Sequence, residues 1–514
     1  MTDILFGQSY YLRFDAKLWA AMQPYPPIGA MYAAAVMRQR GYNVALFDAM
    51  LAESEAEWAA ILARTRPRYA VIYEDNFNYL SKMCLLNMRQ AAFTMTQMAK
   101  DQGCIVILCS SDATDHAEAY LAAGGDYALL GEGEETLSAL IAALEEGNGR
   151  LSPTQSTQIM GLAYHTPDGA QRNPRRAPIK DVDALPFPAW DLIDVARYRQ
   201  IWLDRHGYYS MNMVTTRGCP YHCNWCAKPI WGQRYSSRSP ENVVQELKWL
   251  KETYRPDHIW FADDIMGLKP GWWQRFADLV EKHDARIPFK CLSRADLIVR
   301  DAQALPALAR SGGDIVWLGA ESGSQTILNA MEKGTTVAQI YQAAQSLREA
   351  GVRVGFFLQF GYPGETRADI EKTLQMVRDC LPDDVGMSVS YPLPGTRFHE
   401  GVKAQLGDKQ NWTDSADLAM MYQGPFVTEF YRQLHTVLHK EFRARRSWQK
   451  LKGVIWQPRS WRPRHLREAL AIGYRLATLP LARRKLEQLA LIPHQGLAAM
   501  PHMSLTEASR PSPQ

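Results

Sequence analysis

The chain has 514 residues, 46% hydrophobic and 22% charged, with a net charge of +4. That length is too great for one ordinary core and points to two or three domains, while so small a positive excess implies no general attraction to nucleic acid. The opening residues 1–6 lack a basic stretch followed by an apolar core, so no secretory signal is expected; the longest uncharged run, near 20–37, holds Pro24, Pro26 and Pro27, which argues against a membrane span there.

Residues 1–146 alternate short β-rich runs with helical ones. Strands are expected at Asp3–Gln8, Tyr42–Phe47, Tyr69–Tyr73 and Cys104–Cys109, and helices at Ile28–Gly41, Trp58–Arg66 and Asn87–Gln102. Such βα units predict an α/β fold with a doubly wound parallel sheet. Ligands of these sheets sit beyond the carboxyl ends of the strands. Two of those ends are rich in small polar residues and glycine: Ser110-Ser111-Asp112-Ala113-Thr114 and Gly131-Glu132-Gly133-Glu134. Both suit a ligand-facing loop, and both equally suit ordinary turns and helix caps.

Residues 147–204 are rich in Pro, Gly and Arg, close on Pro186-Phe187-Pro188-Ala189-Trp190, and read as a linker. Between 205 and 400 the βα rhythm resumes, with strands expected at Met211–Thr215, His258–Phe261, Phe289–Leu292, Ile315–Leu318, Val354–Phe360 and Val385–Tyr391. Six units fit a partial (β/α)6 barrel of TIM type, with its site at the carboxyl ends of the strands. Those ends carry Asp263 and Asp264, then Arg294, then Gly319, Glu321 and Ser322, then Gly361. Arg294 can hold a carboxylate through two parallel bonds, Glu321 can accept from an ammonium or a diol, and glycine lets backbone approach a ligand closely. Each is also, singly, an ordinary cap or surface charge.

The first barrel strand runs into Arg217-Gly218-Cys219-Pro220-Tyr221-His222-Cys223-Asn224-Trp225-Cys226, a C-x3-C-x2-C spacing. Three thiolates this close can take three corners of a 4Fe–4S cube and leave one iron open to a small molecule. The alternative is a structural zinc site, which wants four closed ligands and would need His222 as the fourth. Three cysteines in one loop cannot all pair among themselves, which disfavours a disulfide there. The remaining Cys84, Cys104, Cys109, Cys291 and Cys380 are scattered and read as buried small hydrophobes.

This cysteine motif, preceded by a β-rich segment and Arg-Gly, resembles the signature of the radical S-adenosylmethionine (SAM) enzymes, and the resemblance covers about residues 205–400. It implies that Cys219, Cys223 and Cys226 hold a 4Fe–4S cluster whose open iron binds SAM. It also implies that Glu321, Ser322, Arg294, Gly319 and Gly361 contact SAM, leaving Asp263 and Asp264 to face substrate. Upstream, Pro26-Pro27-Ile28-Gly29, Arg40–Val44 and Gly131–Glu134 resemble the cobalamin-binding domain fused to many radical SAM proteins, which implies cobalamin contacts at Ser110, Ser111, Gly131 and Gly133. The D-x-H-x-x-G sequence that ligates cobalt in methionine synthase-like domains is absent; Asp112 to His116 has the wrong spacing.

Residues 401–503 read as a helical region and 504–514 as a disordered tail. From Lys440 to Lys485 there are 14 Lys and Arg against 2 acids, with Trp448, Trp456 and Trp461 among them. Such a stretch suits an anionic membrane surface, an anionic substrate or simply a solvated helical face, and no nucleic-acid motif accompanies it. The expectation is a cobalamin-dependent radical SAM enzyme that methylates an unactivated carbon. It would be fed by a reducing electron donor and act on a small-molecule, lipid or tetrapyrrole substrate, in the cytoplasm with peripheral membrane contact. The alternatives are a radical SAM oxidative cyclase, like the anaerobic magnesium-protoporphyrin cyclase, and a zinc-stabilised binding protein.

Overall fold

The computed structural model describes residues 2–78, 82–228, 230–455 and 463–492. Its first sheet contains β1 (Ile4–Gly7), β2 (Val44–Leu46), β3 (Tyr69–Tyr73), β4 (Ile105–Cys109), β5 (Tyr127–Leu129), β6 (Leu162–Thr166) and β7 (Gly169–Arg172). Their order is β2-β1-β3-β4-β5-β6-β7. The first five are parallel, with Ile4 opposite Val44 on one side and Tyr69 on the other. The strand order therefore reverses at β1/β3, where an open α/β sheet forms its ligand crevice. Helices Ile28–Gln39 and Glu134–Glu146 pack together on one face, and Ala56–Thr65 and Leu86–Asp101 on the other.

The stretch 147–204 is not a free linker. β6 and β7 extend the sheet antiparallel, joined by Thr166-Pro167-Asp168-Gly169, whose residues favour a tight turn. The helix Val195–His206 then buries Tyr198 and Trp202, and the Trp202 indole donates to the Pro24 carbonyl at 2.8 Å.

The second sheet begins with β8 (Ser210–Met213) and, after the two-residue antiparallel pair β9 (Thr216–Arg217) and β10 (Ser236–Ser237), continues with β11 (His258–Phe261), β12 (Phe289–Ser293), β13 (Gly313–Glu321), β14 (Arg353–Phe360) and β15 (Asp384–Val389). Six parallel strands lie in the order β15-β14-β13-β12-β11-β8 and curl into a half-barrel. Side chains alternate across each strand. Ile259, Phe261, Cys291, Val316 and Phe356 are buried under the outer helices, while Trp260, Lys290, Trp317 and Phe357 face the concave side.

The two domains share one apolar seam, in which Ile28, Tyr32 and Phe77 meet Val214, Ile230, Trp231 and Ala262. The helix Ile28–Gln39 is buried from Ile28 to Met37, with Ile28 and Tyr32 in this seam and Ala30, Met31, Ala33, Ala34, Ala35 and Met37 in the main core. Three ion pairs cross the seam. Lys82 meets Asp264 at 2.6 Å, and Arg217 lies between Glu132 and Glu134, 2.8 Å from the latter. Residues 411–417 return to the first domain, where Leu86 N donates to Trp412 O at 2.8 Å and Ser415 N to Asp15 at 3.1 Å.

Beyond the barrel, the helices Thr428–Ile455 and Pro463–Ala490 pack against each other, and the first docks on the Arg367–Cys380 helix and β15. Among the described residues no helix is long and apolar enough to cross a membrane. Trp448 is exposed; Trp456, Trp461 and the 504–514 tail lie outside the described residues.

Arg217, Glu132 and Glu134 are all buried. Removing the one cation leaves two buried carboxylates without their partner, a loss of about 3–5 kcal/mol. Urea unfolding of Arg217→Met is expected to show a destabilisation of that order.

Candidate active site

The cysteine loop leaves the carboxyl end of β8 and is braced at its root. Asp263, at the end of β11, accepts from Thr215 N at 2.7 Å, from Thr216 N at 2.9 Å and from the Thr215 hydroxyl. It is 2% exposed, and burial raises its carboxyl to about 6. Asp263 thus does not face substrate as the sequence suggested: its oxygens are spent on the loop's own N–H groups. Asp264 is likewise engaged, by Lys82.

Gly218 turns the chain with φ of 78°, and a Cβ there would stand 2.4 Å from the Arg234 carbonyl oxygen. Only glycine fits both demands. Cys223 is buried, Cys219 and Cys226 are half-buried, and His222 is exposed. Asn224 anchors the middle of the loop. Its N–H donates to Met331 O at 3.1 Å, its amide nitrogen donates to Ala330 O at 2.8 Å, and its amide oxygen accepts from the Tyr362 hydroxyl at 2.9 Å. Burial raises the Cys219 thiol and pushes Cys226 up to about 12, with Lys228 partly opposing. An iron centre supplies the positive charge that brings such thiols to thiolate. Among the described residues no three His, Cys, Asp or Glu side chains converge on a single-ion site. The donor set of three thiols on one pinned loop fits a multi-iron cluster, which takes each thiolate on a different metal.

Beside Cys223 stands a layer of buried charge. Arg294 Nη1 is 3.6 Å from Cys223 Sγ, its guanidinium lies 3.7 Å from the Tyr221 ring centroid, and it donates to Asp296 at 2.9 Å and to Lys333 O at 2.6 Å. Lys333 Nζ donates to Glu321 at 2.8 Å. Glu321 adopts φ of 57° at a register shift in β13, and a Cβ on Gly319 would stand 2.7 Å from Lys333 Nζ. Arg294, Gly319 and Glu321 therefore meet around Lys333, a residue the sequence did not single out. Ser322 is instead fully buried, its hydroxyl accepting from Ser324 N at 3.1 Å and 3.2 Å from the Thr373 hydroxyl. Gly361 donates its N–H to Glu365 at 2.6 Å, and its carbonyl accepts from Tyr422.

A second crevice lies at the ends of β1, β3 and β4. Both amide atoms of Gln8, one oxygen of Glu74, the amide oxygen of Asn76 and the Ser111 hydroxyl are buried there without a partner. Unpaired buried polar atoms are rare in native proteins, and these gather at the topological switch point. Ser110 is used as a helix cap, accepting from Ala113 N at 2.8 Å. Gly131 N donates to Thr114 at 3.0 Å, and Gly133 lies flat on Cys109 and Tyr73, whose atoms a Cβ would meet at 2.6 and 2.7 Å. Of the four residues proposed for this crevice, only Ser111 carries a free polar group; the glycines set the loop whose carboxylates grip Arg217. His116 stands 3.8 Å from Asp112.

Residues 213–377 match the family model described as Radical SAM superfamily. The second domain is a radical SAM domain. That domain implies a 4Fe–4S cluster and SAM, in agreement with the pinned cysteine loop. The chain is 26% identical to an uncharacterized methyltransferase of Pyrococcus horikoshii, over 75% of this chain and 81% of that relative. It is 28% identical to the anaerobic magnesium-protoporphyrin IX monomethyl ester cyclase of Rubrivivax gelatinosus over 55% of this chain and 49% of the cyclase, so it spans about half of that relative's length. Among solved structures, the cobalamin-dependent S-adenosylmethionine radical enzyme OxsB, with aqua-cobalamin and S-adenosylmethionine bound, matches 95% of this chain and 72% of its own at a TM-score of 0.70 and 15% identity, a likeness of fold. The half-barrel of the radical SAM domain and the crevice of the first sheet thus sit in one familiar architecture.

Burial raises the Glu74 carboxyl to about 7 from an ordinary 4.5. Between those values the folded protein holds a proton that the unfolded chain has released, so the stability this proton contributes is lost as pH rises through the window. Glu74→Gln is expected to flatten this slope: between about pH 5 and pH 8 the melting temperature of the ligand-free variant falls less than that of the parent.

Proposed function

We propose that the chain is a cobalamin-dependent radical SAM enzyme that methylates an unactivated carbon. The observation that carries the cobalamin reading is the set of unpaired buried polar atoms on Gln8, Glu74, Asn76 and Ser111. They lie in a crevice tied by Glu132 and Glu134 to the loop of the cluster cysteines. An amide-rich ligand pairs such donors and acceptors, and cobalamin is one. With all groups bound, the cluster and SAM supply the radical that takes hydrogen from carbon, and cobalamin supplies the methyl group that replaces it.

The chain's own residues do the positioning. Cys219, Cys223 and Cys226 leave one iron corner without a protein ligand. Arg294 and Lys333 place two buried cations beside Cys223. Lys333, Glu321 and Arg294 offer paired charges of both signs, complementary to the ammonium and carboxylate of an amino acid moiety. On the concave face, Trp317 and Phe357 stack at 4.6 Å above Gly355 and Gly386, and Lys290, lowered by burial to about 8, stands over Trp260 and Tyr25. That surface suits a flat or greasy substrate with an anionic group, and the reaction needs a one-electron reductant as partner. Methylation is favoured over cyclisation because the similarity to an uncharacterized methyltransferase runs over 75% of the chain, against 55% for the cyclase.

Anaerobic reconstitution with iron and sulfide tests this reading. Changing Cys219, Cys223 or Cys226 to Ala is expected to remove the cluster absorbance and abolish 5′-deoxyadenosine formation; undiminished formation rules out the ligand role. Cobalamin is expected to bind the reconstituted protein, and product mass to rise by one methyl group. A product that has lost hydrogens and gained no methyl establishes the cyclase reading instead.

A further inference from the structure

The helix Pro463–Ala490 is apolar on two opposite sides. Ile472, Ala482 and Leu486 are buried, on the side that packs on the Thr428–Ile455 helix. At about 100° per residue, Leu466, Leu470, Tyr474 and Leu481 share the opposite side, where they are 58, 67, 67 and 69% exposed. Among the described residues, only Lys440, over the Tyr474 ring, makes a ring contact with this side, while all four side chains stay mostly exposed. Arg467, Arg484 and Lys485 are exposed along and beside this stripe. On the neighbouring helix Trp448 is 47% exposed, and Lys440 Nζ lies 5.8 Å from the Tyr474 ring centroid. Next to Trp448, Arg445 and Arg446 line a cleft of about 610 Å³ with Arg348, Arg353 and Arg378, against Asp379 and Asp383.

Charge decides what can cover this face. Residues 440–485 carry +12, which leaves −8 for the rest of a chain of net +4. A second copy of the same face would bring an equal positive excess against it. Nucleic acid would satisfy the charge and offer no apolar layer for the leucines. A bilayer with anionic headgroups offers both, as it does to amphipathic helices that lie in the interface.

We infer that the C-terminal helical pair docks on an anionic lipid surface, with Leu466, Leu470, Tyr474 and Leu481 set into the acyl boundary and the flanking Arg and Lys among the headgroups. The docking is peripheral, in keeping with the lack of a membrane-spanning helix among the described residues.

Flotation of the full chain with phosphatidylglycerol-containing vesicles, against pure phosphatidylcholine vesicles, is the test. Wild type is expected to float with the anionic vesicles and to be released by salt. Leu470→Glu combined with Tyr474→Glu is expected to lower vesicle partitioning by about tenfold or more, with an unchanged melting temperature. Arg484→Gln with Lys485→Gln is expected to weaken binding to anionic vesicles, also by about tenfold. Wild type that stays unbound, or a double-Glu variant that floats as well as wild type, overturns the inference. So does a wild-type dimer that the double-Glu variant splits, since a second copy would then be the cover.

Discussion

One guanidinium sets the relation between the two halves of this molecule. Arg217 is two residues ahead of Cys219, and it is buried between Glu132 and Glu134 of the first domain. Its planar face also stands 5.5 Å from the Tyr32 ring and 5.8 Å from Phe77. A lysine cannot reproduce that arrangement, because a point charge neither bridges two carboxylates in one plane nor stacks. Burying these charges opposes folding by desolvation, and burial indeed raises the Glu132 carboxyl. What the contact provides is registry. It fixes the cysteine loop, and with it any cluster, against the loop that closes the crevice of the first sheet.

A second buried pair tunes what the first one positions. Bound to a cluster, the three cysteines would bring negative charge to a partly buried loop, and Lys333 and Arg294 stand beside Cys223. The contact from Arg294 to the Cys223 sulfur is of the kind that shifts cluster potential in iron–sulfur proteins. Glu321 keeps Lys333 in place from a left-handed backbone position at the end of β13. Strain of that sort persists only where surrounding structure over-determines it. Here it is held by the shifted register of β13 against β14.

The parts of this arrangement visible in the sequence are those written in local spacing. C-x3-C-x2-C, the β-rich runs and the polar residues at their ends lie within a few positions of one another, so the half-barrel and its cysteine loop are legible. What was misread depends on partners far along the chain. Asp263 looks like a substrate-facing acid until Thr215 and Thr216, 48 and 47 positions away, claim its oxygens. Lys333 sits in a loop with no motif around it, and its contacts with Glu321 and Arg294 give it a role. Ser110 and Ser322 are polar residues at strand ends, as expected, yet a cap and a turn consume their hydroxyls. The 147–204 stretch is the opposite case: its proline and glycine content suggests a linker, while Thr166-Pro167-Asp168-Gly169 is a hairpin turn.

The C-terminal pair of helices escapes a periodicity argument for a physical reason. A helix with one apolar stripe announces itself, but opposed apolar stripes cancel, and only the charge excess remains conspicuous in the sequence. That excess does more than flank the stripe. With +12 gathered in residues 440–485 and −8 over the remainder, the charge separation would turn the helical pair toward a negative surface before any contact forms. The orientation needs no structural change in the pair, whose stripe of Leu466, Leu470, Tyr474 and Leu481 is already exposed. An apolar substrate drawn from a lipid phase would meet the enzyme already turned to it, whereas a freely dissolved one would gain nothing from the charge separation.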